Sequence, residues 1–321
     1  MDNFIYQSQL IDEIINNSKI NQIKKDYKSI STKYRGEKIN SSVVVSSDEQ
    51  ALSYVSTRTG ETSVIIHDVL SKLNNYVDIN NDIKTVLDLG SGTGSVFWAL
   101  DNFAKNIDIT AVEKQQSMLK YSQLLSTHLD FHIEYIKEDV LSPKIKNLDT
   151  FNMVIESFVF NEMSREDRLK ALDLMNEKSN KYLVLIEPGT PNSYENMMKD
   201  REYLLSKGLN LLLPCPHSKK CPLQDDYCNF SVRVNRTKAS RFIKDASLNY
   251  EDEKYFYLIF TKDTKNKNLG SAILRKPIYR KNLVDLKVCG IQGVSQLIIT
   301  KNNKELYTKT KKLKHGDIIS D

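Results

Sequence analysis

Short apolar runs separated by helical patterns recur along the middle of the chain. The runs that predict strands are residues 85–89, 107–112, 131–136, 151–157, 182–187, 209–213 and 254–262. Runs of this length and character are typical of strands buried on both faces. A helix opens at Ser95, another follows the capping box of Ser164 and Asp167, and a third begins at Pro191 and stops at Gly208. This alternation predicts an α/β fold with a doubly wound, mostly parallel sheet of seven strands, the last inserted antiparallel beside the sixth.

Both ends of the chain depart from this alternation. Residues 1–60 predict a helical extension with an amphipathic helix around Leu10. Residues 23–50 contain few large apolar side chains, which predicts irregular or mobile structure there. Residues 266–321 contain strand-like runs at 271–274, 283–288, 295–300 and 305–307, which predict a small β module, with an OB-like fold as one arrangement. The main domain then spans residues 61–265 and includes a cysteine-rich insertion over about 214–253, which we predict as a loop between the last two strands.

A glycine turn follows the first predicted strand. Gly90, Gly92 and Gly94 alternate with Ser91 and Thr93, and the acidic Asp88 lies inside the strand end. Glycine lets a backbone turn tightly and lie close to a ligand, although a turn that merely needs small residues for packing is an alternative. The spacing is G-x-G-x-G, which differs from the G-x-G-x-x-G of dinucleotide folds. With Asp88 it resembles the first motif of class I S-adenosylmethionine-dependent methyltransferases and predicts cofactor binding by Asp88, Gly90, Ser91, Gly92 and Gly94.

Two further acidic residues follow predicted strands. Glu113 closes the second strand, where a carboxylate can accept hydrogen bonds from both hydroxyls of a ribose. Asp139 follows the third strand, where methyltransferases commonly place an acid near the adenine amino group. A solvated loop carboxylate is the alternative for Asp139.

The charge is unevenly distributed along the chain. The net charge is +5, yet residues 261–321 contain 14 Lys/Arg against 5 Asp/Glu, whereas the remaining 260 residues contain 32 against 36. A basic terminal module predicts a polyanionic partner, with a solvated lysine-rich face as the alternative. The first residues do not resemble a signal peptide and no apolar run approaches about 18 residues, so we expect a soluble protein with no membrane contact. Without a presequence, the cytoplasm of a bacterium is favoured, and the mitochondrial matrix is expected if the source is eukaryotic.

Four cysteines form the most unusual feature of the sequence. Cys215, Cys221 and Cys228 follow the pattern C-x5-C-x6-C, and Cys289 comes after 60 intervening residues. Four thiolates can hold a 4Fe–4S cluster or a tetrahedral zinc ion. The spacing is wider than the C-x2-C of structural zinc sites, and prolines flank the cysteines, which favours the cluster. The third alternative is that the four cysteines are buried and unrelated. His217 could replace one ligand, but we expect it to lie next to the ligands and not to bind the metal.

Several stretches together resemble one family. They include Glu187-Pro188-Gly189, Pro214-Cys215-Pro216-His217, Tyr227-Cys228-Asn229-Phe230 and Tyr250-Glu251-Asp252-Glu253. Over about residues 50–321 the chain resembles the methyltransferase-like assembly factors of the mitochondrial small ribosomal subunit and their bacterial relatives. The resemblance implies S-adenosylmethionine binding, a 4Fe–4S cluster on the four cysteines, and attachment to small-subunit rRNA and ribosomal proteins.

Whether this chain transfers a methyl group stays open at the sequence level. The fourth strand lacks both the Asn/Asp-Pro-Pro-Tyr/Phe motif and a cysteine nucleophile, and nothing in the spacing selects Glu156 or Glu162 as a general base. The favoured function is a ribosome assembly factor that binds rRNA and is monomeric when free. An active rRNA methyltransferase is the rival, and a small-molecule methyltransferase with a zinc-stabilised lid comes third.

Overall fold

The computed structural model describes residues 2–15, 20–35, 45, 47–223, 225–263 and 270–319. The chain divides into two compact units. The first unit comprises Met1–Asn180 and Val232–Glu253, and the second comprises Lys181–Ser231 and Lys254–Asp321. The predicted domain boundary near residue 265 lies outside the described residues, and the boundary near residue 60 stays a prediction.

Helices occupy the described part of the chain before the first strand. They are α1 (Asp2–Ile14), α2 (Ile20–Arg35), α3 (Asp48–Tyr54), a π-helical turn (Val55–Thr59), α4 (Gly60–Asn74) and α5 (Ile79–Asp82). The prediction of irregular structure from residue 23 was wrong up to Arg35. Ile23 is buried, and Ile20 and Tyr27 pack against the same apolar cluster, so apolar residues about one turn apart hold this helix. Residues 36–44 and 46 of that stretch lie outside the described residues.

Four parallel strands form the sheet of the first unit. In chain order the elements are β1 (Thr85–Leu89), α6 (Ser95–Leu100), β2 (Asp108–Val112), α7 (Gln116–Ser126), β3 (His132–Ile136), α8 (Pro143–Lys146), β4 (Phe151–Ser157), a 3-10 turn (Phe160–Glu162) and α9 (Arg165–Lys178). The strand order is β3-β2-β1-β4. Parallel pairing in this order brings the carboxyl ends of the strands, and the loops that follow them, to one edge.

The second unit contains the last strands of the main fold. The remaining elements of the main fold are β5 (Ser179–Pro188), α10 (Pro191–Ser206), β6 (Asn210–Leu213), β7 (Phe230–Asn235), α11 (Lys238–Ile243) and β8 (Tyr250–Thr261). Of these, α11 and most of β7 belong to the first unit. The strand β8 runs antiparallel to both β5 and β6, which confirms the predicted insertion of the last strand. The prediction of one continuous loop over residues 214–253 was wrong, because the buried Phe230, Val234, Ala239 and Ile243 hold β7 and α11 in place.

The terminal module lies within the second unit. Its elements are β9 (Ser271–Ile273), β10 (Ile278–Arg280), β11 (Leu283–Gly290), β12 (Gly293–Thr300), α12 (Lys304–Thr310) and β13 (Ile318–Ile319). The strands pair as an antiparallel sheet around β11, with a core of residues such as Val284, Leu286 and Ile299. The predicted strand at residues 305–307 was wrong: Asn303 accepts a hydrogen bond from the amide of Leu306 at 3.1 Å and caps a helix there. The OB-like comparison stays a prediction.

Among the residues the structure describes, no helix has both the length and the apolar character needed to cross a membrane.

Candidate functional site

The glycine turn after β1 adopts a backbone that glycine favours. Gly90, Gly92 and Gly94 have φ angles of +73°, +53° and +82°, in the left-handed region. The amides of Gly90 and Ser91 donate to the carbonyl of Val112 at 2.8 and 2.9 Å, which ties the turn to the end of β2. The predicted turn is therefore formed. The backbone is open to close approach at Gly92, where a Cβ atom would meet nothing closer than 3.6 Å, whereas a Cβ atom on Gly94 would lie 2.8 Å from the ring of Phe97.

Asp88 is a buried carboxyl group without a hydrogen-bond partner. The side chain is fully buried, and neither carboxylate oxygen meets a donor among the described residues. Burial, with the nearby charge of Glu113 adding to it, raises the pKa of Asp88 well above its usual range. The Oγ of Ser91 is buried and unpartnered as well. Three oxygen atoms at the turn thus lack partners that a bound ligand would supply.

Glu113 supports the turn from the end of β2. Its Oε2 accepts from the amide of Gly92 at 3.1 Å, and its Oε1 accepts from the amide of Gln115 at 2.7 Å. Burial raises its pKa, while these two amides act in the opposite direction. Each carboxylate oxygen has a second lone pair, so the predicted contact with a ribose stays compatible with these bonds.

Asp139 lies in an exposed turn after β3. Its Oδ1 accepts a hydrogen bond from the amide of Leu141 at 3.0 Å. The predicted contact with an adenine amino group stays a prediction.

The loop after β4 covers the glycine turn. A Cβ atom on Gly90 would lie 2.4 Å from Cγ2 of Val159, and the preceding Phe158 has a φ of +62°. A bulky residue in the left-handed region is strained, and such strain concentrates at functional sites. Glu156 is fully buried and accepts from the amide of Val159 at 3.3 Å, so one of the two candidate general bases holds this loop in place.

A buried ion-pair network lies elsewhere in the first unit. Glu61, Glu251 and Glu253 place carboxylate oxygens within 4.8 Å of one another. Arg58 contacts Glu61 and Glu253 at 3.2 and 3.3 Å, and Lys244 contacts Glu61 and Glu251. Because Arg58 and Lys244 pair with these three carboxylates, the acidic cluster is an ion-pair network.

The four cysteines come together in the second unit. All four are free thiols; Cys228 and Cys289 are buried and the other two are partly buried. Burial raises the pKa of Cys215 to about 11 and that of Cys289 to about 12. Burial also raises the pKa of Cys228 well above its usual range, and the charges of the three other cysteines add to that shift. This mutual influence means that Cys289, on β11, lies near the three cysteines of the loop after β6.

Two side chains of α10 contact the segment over residues 215–228 that contains three of the cysteines, called the cysteine segment. The hydroxyl of Tyr194 lies 3.1 Å from Sγ of Cys221. Seven residues on, the fully buried Arg201 donates from Nη2 to the carbonyls of His217 and Lys219 at 2.8 and 2.9 Å. Because seven residues are close to two helical turns, one face of α10 presents both groups. The charge of Arg201 also opposes the rise in the pKa of Cys215 that burial causes.

His217 and Asp226 complete the surroundings of the thiols. The Nε2 of His217 lies 3.9 Å from Sγ of Cys289. The carboxylate of Asp226 pairs with Arg275 and, at 3.1 Å, with Lys287. Arg275 also donates to the carbonyl of Tyr227 at 3.1 Å. These bonds join the cysteine segment to the terminal sheet.

Tyr194, Arg201 and Asp226 were not found by sequence reasoning. A tyrosine and an arginine two turns apart in a polar helix give no sign of what they face. One signal was available: Arg201 is a cation at a position that the helical period places on the buried side of α10.

The fold has parallel strands, a glycine turn after the first of them, the buried Asp88 just before that turn, and an antiparallel last strand. These features define the class I S-adenosylmethionine-dependent methyltransferase fold. Within that class, the chain belongs to the family described as mitochondrial small ribosomal subunit Rsm22, whose profile matches residues 48–320.

Two curated relatives and one solved structure illustrate the similarity. The chain is 25% identical over 261 residues to the human ribosome assembly protein METTL17, mitochondrial, covering 74% of this chain and 55% of the relative. It is 22% identical over 363 residues to Rsm22-cox11 tandem protein 2, mitochondrial, of Schizosaccharomyces pombe, covering 94% of this chain and 47% of the relative. The chain thus spans about half the length of these relatives. An Aquifex aeolicus S-adenosylmethionine-dependent methyltransferase structure has a TM-score of 0.43 and 16% identity, covering 67% of this chain and 98% of that one.

Proposed function

We propose that this chain assists assembly of the small ribosomal subunit by binding its rRNA. Family membership over residues 48–320 is the observation that carries the proposal, and a relative with 25% identity is named a ribosome assembly protein. The excess of basic residues after residue 261 supports a nucleic-acid partner.

S-adenosylmethionine fits the glycine turn of the first unit. The buried, unpartnered oxygens of Asp88 and Ser91 suit a ligand that brings hydrogen-bond donors and positive charge. Gly92 would admit it close to the backbone, Gly90 and Gly94 would hold the turn in shape, and Glu113 and Asp139 would extend the site along the strand ends. When bound, the cofactor supplies an activated methyl group on a sulfonium and an amino acid end that carries an ammonium group.

Cys215, Cys221, Cys228 and Cys289 would hold a 4Fe–4S cluster. Four free thiols gathered in one unit supply the ligands that such a cluster takes, and the wide spacing of these cysteines along the chain favours the cluster over zinc. Protein purified without oxygen is expected to be brown, with about four irons per chain.

Depletion of the chain in its source organism tests the proposed function. We expect free small subunits to fall relative to large subunits in a sucrose gradient, and precursor small-subunit rRNA to accumulate. An unchanged subunit ratio with normal rRNA processing would remove the proposal.

An active rRNA methyltransferase is the second candidate, because the glycine turn and Asp88 are intact. Tritium transfer from labelled S-adenosylmethionine to immature small subunits separates the two functions. Gly92→Arg is the matched inactive variant, since the φ of +53° strains any side chain there. Robust incorporation that this variant abolishes would establish the methyltransferase instead.

A further inference from the structure

The terminal module has a pocket at one end of its sheet. The pocket has a volume of about 720 Å³ and lies where the turn between β10 and β11 meets the end of β12. It is lined by Lys281, Asn282, Leu283, Thr300, Lys301, Asn302 and Lys304. All of these residues except the half-buried Leu283 are exposed. We refer to these seven lining residues as the lysine pocket.

The three lysines of the lysine pocket carry charge that no nearby acid neutralises. In the described part of the chain, no carboxylate lies within ion-pair distance of Lys281, Lys301 or Lys304, although other lysines of the module have partners. Lys287 pairs with Asp226 at 3.1 Å, and Lys309 pairs with Glu305 at 2.8 Å. Three unpaired ammonium groups around one concavity create a positive potential that favours an anion.

Strand pairing fixes these groups near one another. Across the sheet, Arg280 of β10 and Thr300 of β12 are both in register with Leu283 of β11. The amide of Lys301 donates to the carbonyl of Asn282 at 2.9 Å, and Asn282 has a φ of +66°, so the two chain segments are held together at the turn. The exposed Arg280 therefore adds a fourth cation beside the pocket.

The chemistry of the lining suits phosphate more than a base. Ammonium, amide and hydroxyl groups donate to phosphate oxygens, and contacts of this kind position a nucleic acid without reading its sequence. The lining contains no aromatic ring, which a single-strand binding surface would use to stack bases.

We infer that the lysine pocket binds phosphates of the small-subunit rRNA backbone. This inference rests on the proposed function and locates the contact on the terminal module. Because each neutralised phosphate releases counterions, the contact makes binding strongly dependent on salt and independent of sequence at this position.

A pair of matched triple variants tests the inference. Lys281→Gln, Lys301→Gln and Lys304→Gln together remove the charge of the pocket. Lys309→Gln, Lys311→Gln and Lys312→Gln remove the same charge from α12 and the residues that follow it. The probe is a transcript of the small-subunit rRNA from the source organism, titrated against anaerobically purified protein at several salt concentrations.

We expect the pocket variant to bind the transcript on the order of 10- to 100-fold more weakly near physiological salt, with its salt slope reduced by about 2. The control should change by less than about threefold. Equal losses in the two variants, or unchanged binding by the pocket variant, would overturn the inference and leave the proposed function in place. No salt-sensitive binding by the unmodified protein would overturn both. Unchanged iron content and melting temperature in each variant exclude misfolding as the cause.

Discussion

At the scale of single residues, the oxygens of Asp88 distinguish this site from an ordinary strand–turn–helix. A turn that needed only small residues would have no reason to bury a carboxyl group without a donor, since an unmade buried hydrogen bond costs about 1–3 kcal/mol. The unpartnered oxygens are expected if the turn binds a ligand and so support the proposed site, while packing against Val159 and Phe97 accounts for the glycines at positions 90 and 94.

Asp88→Asn should weaken the binding of S-adenosylmethionine. Losing a charge-assisted hydrogen bond costs about 1.5–3 kcal/mol, which corresponds to roughly 10- to 100-fold in affinity. Isothermal titration calorimetry measures the change, and the exposed Asp130→Asn serves as the control. An affinity unchanged from that of the unmodified protein would remove Asp88 from the site.

The raised pKa of Asp88 also predicts how binding depends on pH. In the free protein, burial and Glu113 favour the protonated form. A cationic ligand favours the carboxylate, so binding releases a proton and tightens as the pH rises toward the raised pKa. Without ligand, the same raised pKa makes the free energy of unfolding fall as the pH rises between the unfolded and folded pKa values. Calorimetry in buffers of different ionisation enthalpy should detect the proton in the unmodified protein and lose it in Asp88→Asn; equal proton release in both would contradict this assignment.

Tyr194 is expected to tune the cluster without holding it. Its hydroxyl lies 3.1 Å from Cys221, and hydrogen bonds to cluster sulfurs raise the reduction potential. Tyr194→Phe should therefore keep the iron and lower the potential measured by redox titration. Tyr203→Phe, on the same helix, is the control. A potential unchanged in Tyr194→Phe, or a loss of iron, would show that the hydroxyl acts otherwise.

At the scale of elements, the predicted strands β1 to β4 agree with the structure to within one residue at each end. Their apolar runs are continuous and bounded by glycine or polar residues, so local pattern and burial coincide. The strand β7 and the helix α12 could not be predicted in this way. Phe230 is buried among rings such as Tyr255 and His315, and those partners lie far from it in sequence. The roles of Tyr194 and Arg201 could not be predicted for the same reason, because the loop that they contact comes later in the chain.

The cysteine segment and β11 together act as one element if a cluster joins them. In the proposed cluster Cys289 would be the single ligand from the terminal sheet, so Cys289→Ser should lose iron and rRNA affinity together. Binding of S-adenosylmethionine by the first unit should change little. Ser295→Ala, at an exposed position of the neighbouring strand β12 and outside the lysine pocket, controls for disturbance of the sheet.

Metal analysis and transcript titration on the same preparation check this coupling. Stoichiometric zinc with no visible absorbance would reject the cluster, and full rRNA binding by metal-free protein would reject the coupling.

At the scale of the whole molecule, the chain combines a methyltransferase fold with a cysteine site and a basic module. Family membership links this combination to the small ribosomal subunit. The sequence predicted the fold from local apolar runs, and it predicted the cysteine group because four thiolates are the ligand complement of a cluster or a zinc ion. It could not locate the lysine pocket, because that surface forms only when strand pairing brings Lys281 and Lys301 to one end of the sheet.

Co-sedimentation of anaerobically purified protein with ribosomal particles from its source organism tests the central claim most directly. We predict that the chain migrates with immature small subunits and leaves them as the salt concentration rises. Mature large subunits serve as the control particle and should carry none. Migration only at the top of the gradient, or equal binding to both subunits, would contradict the account.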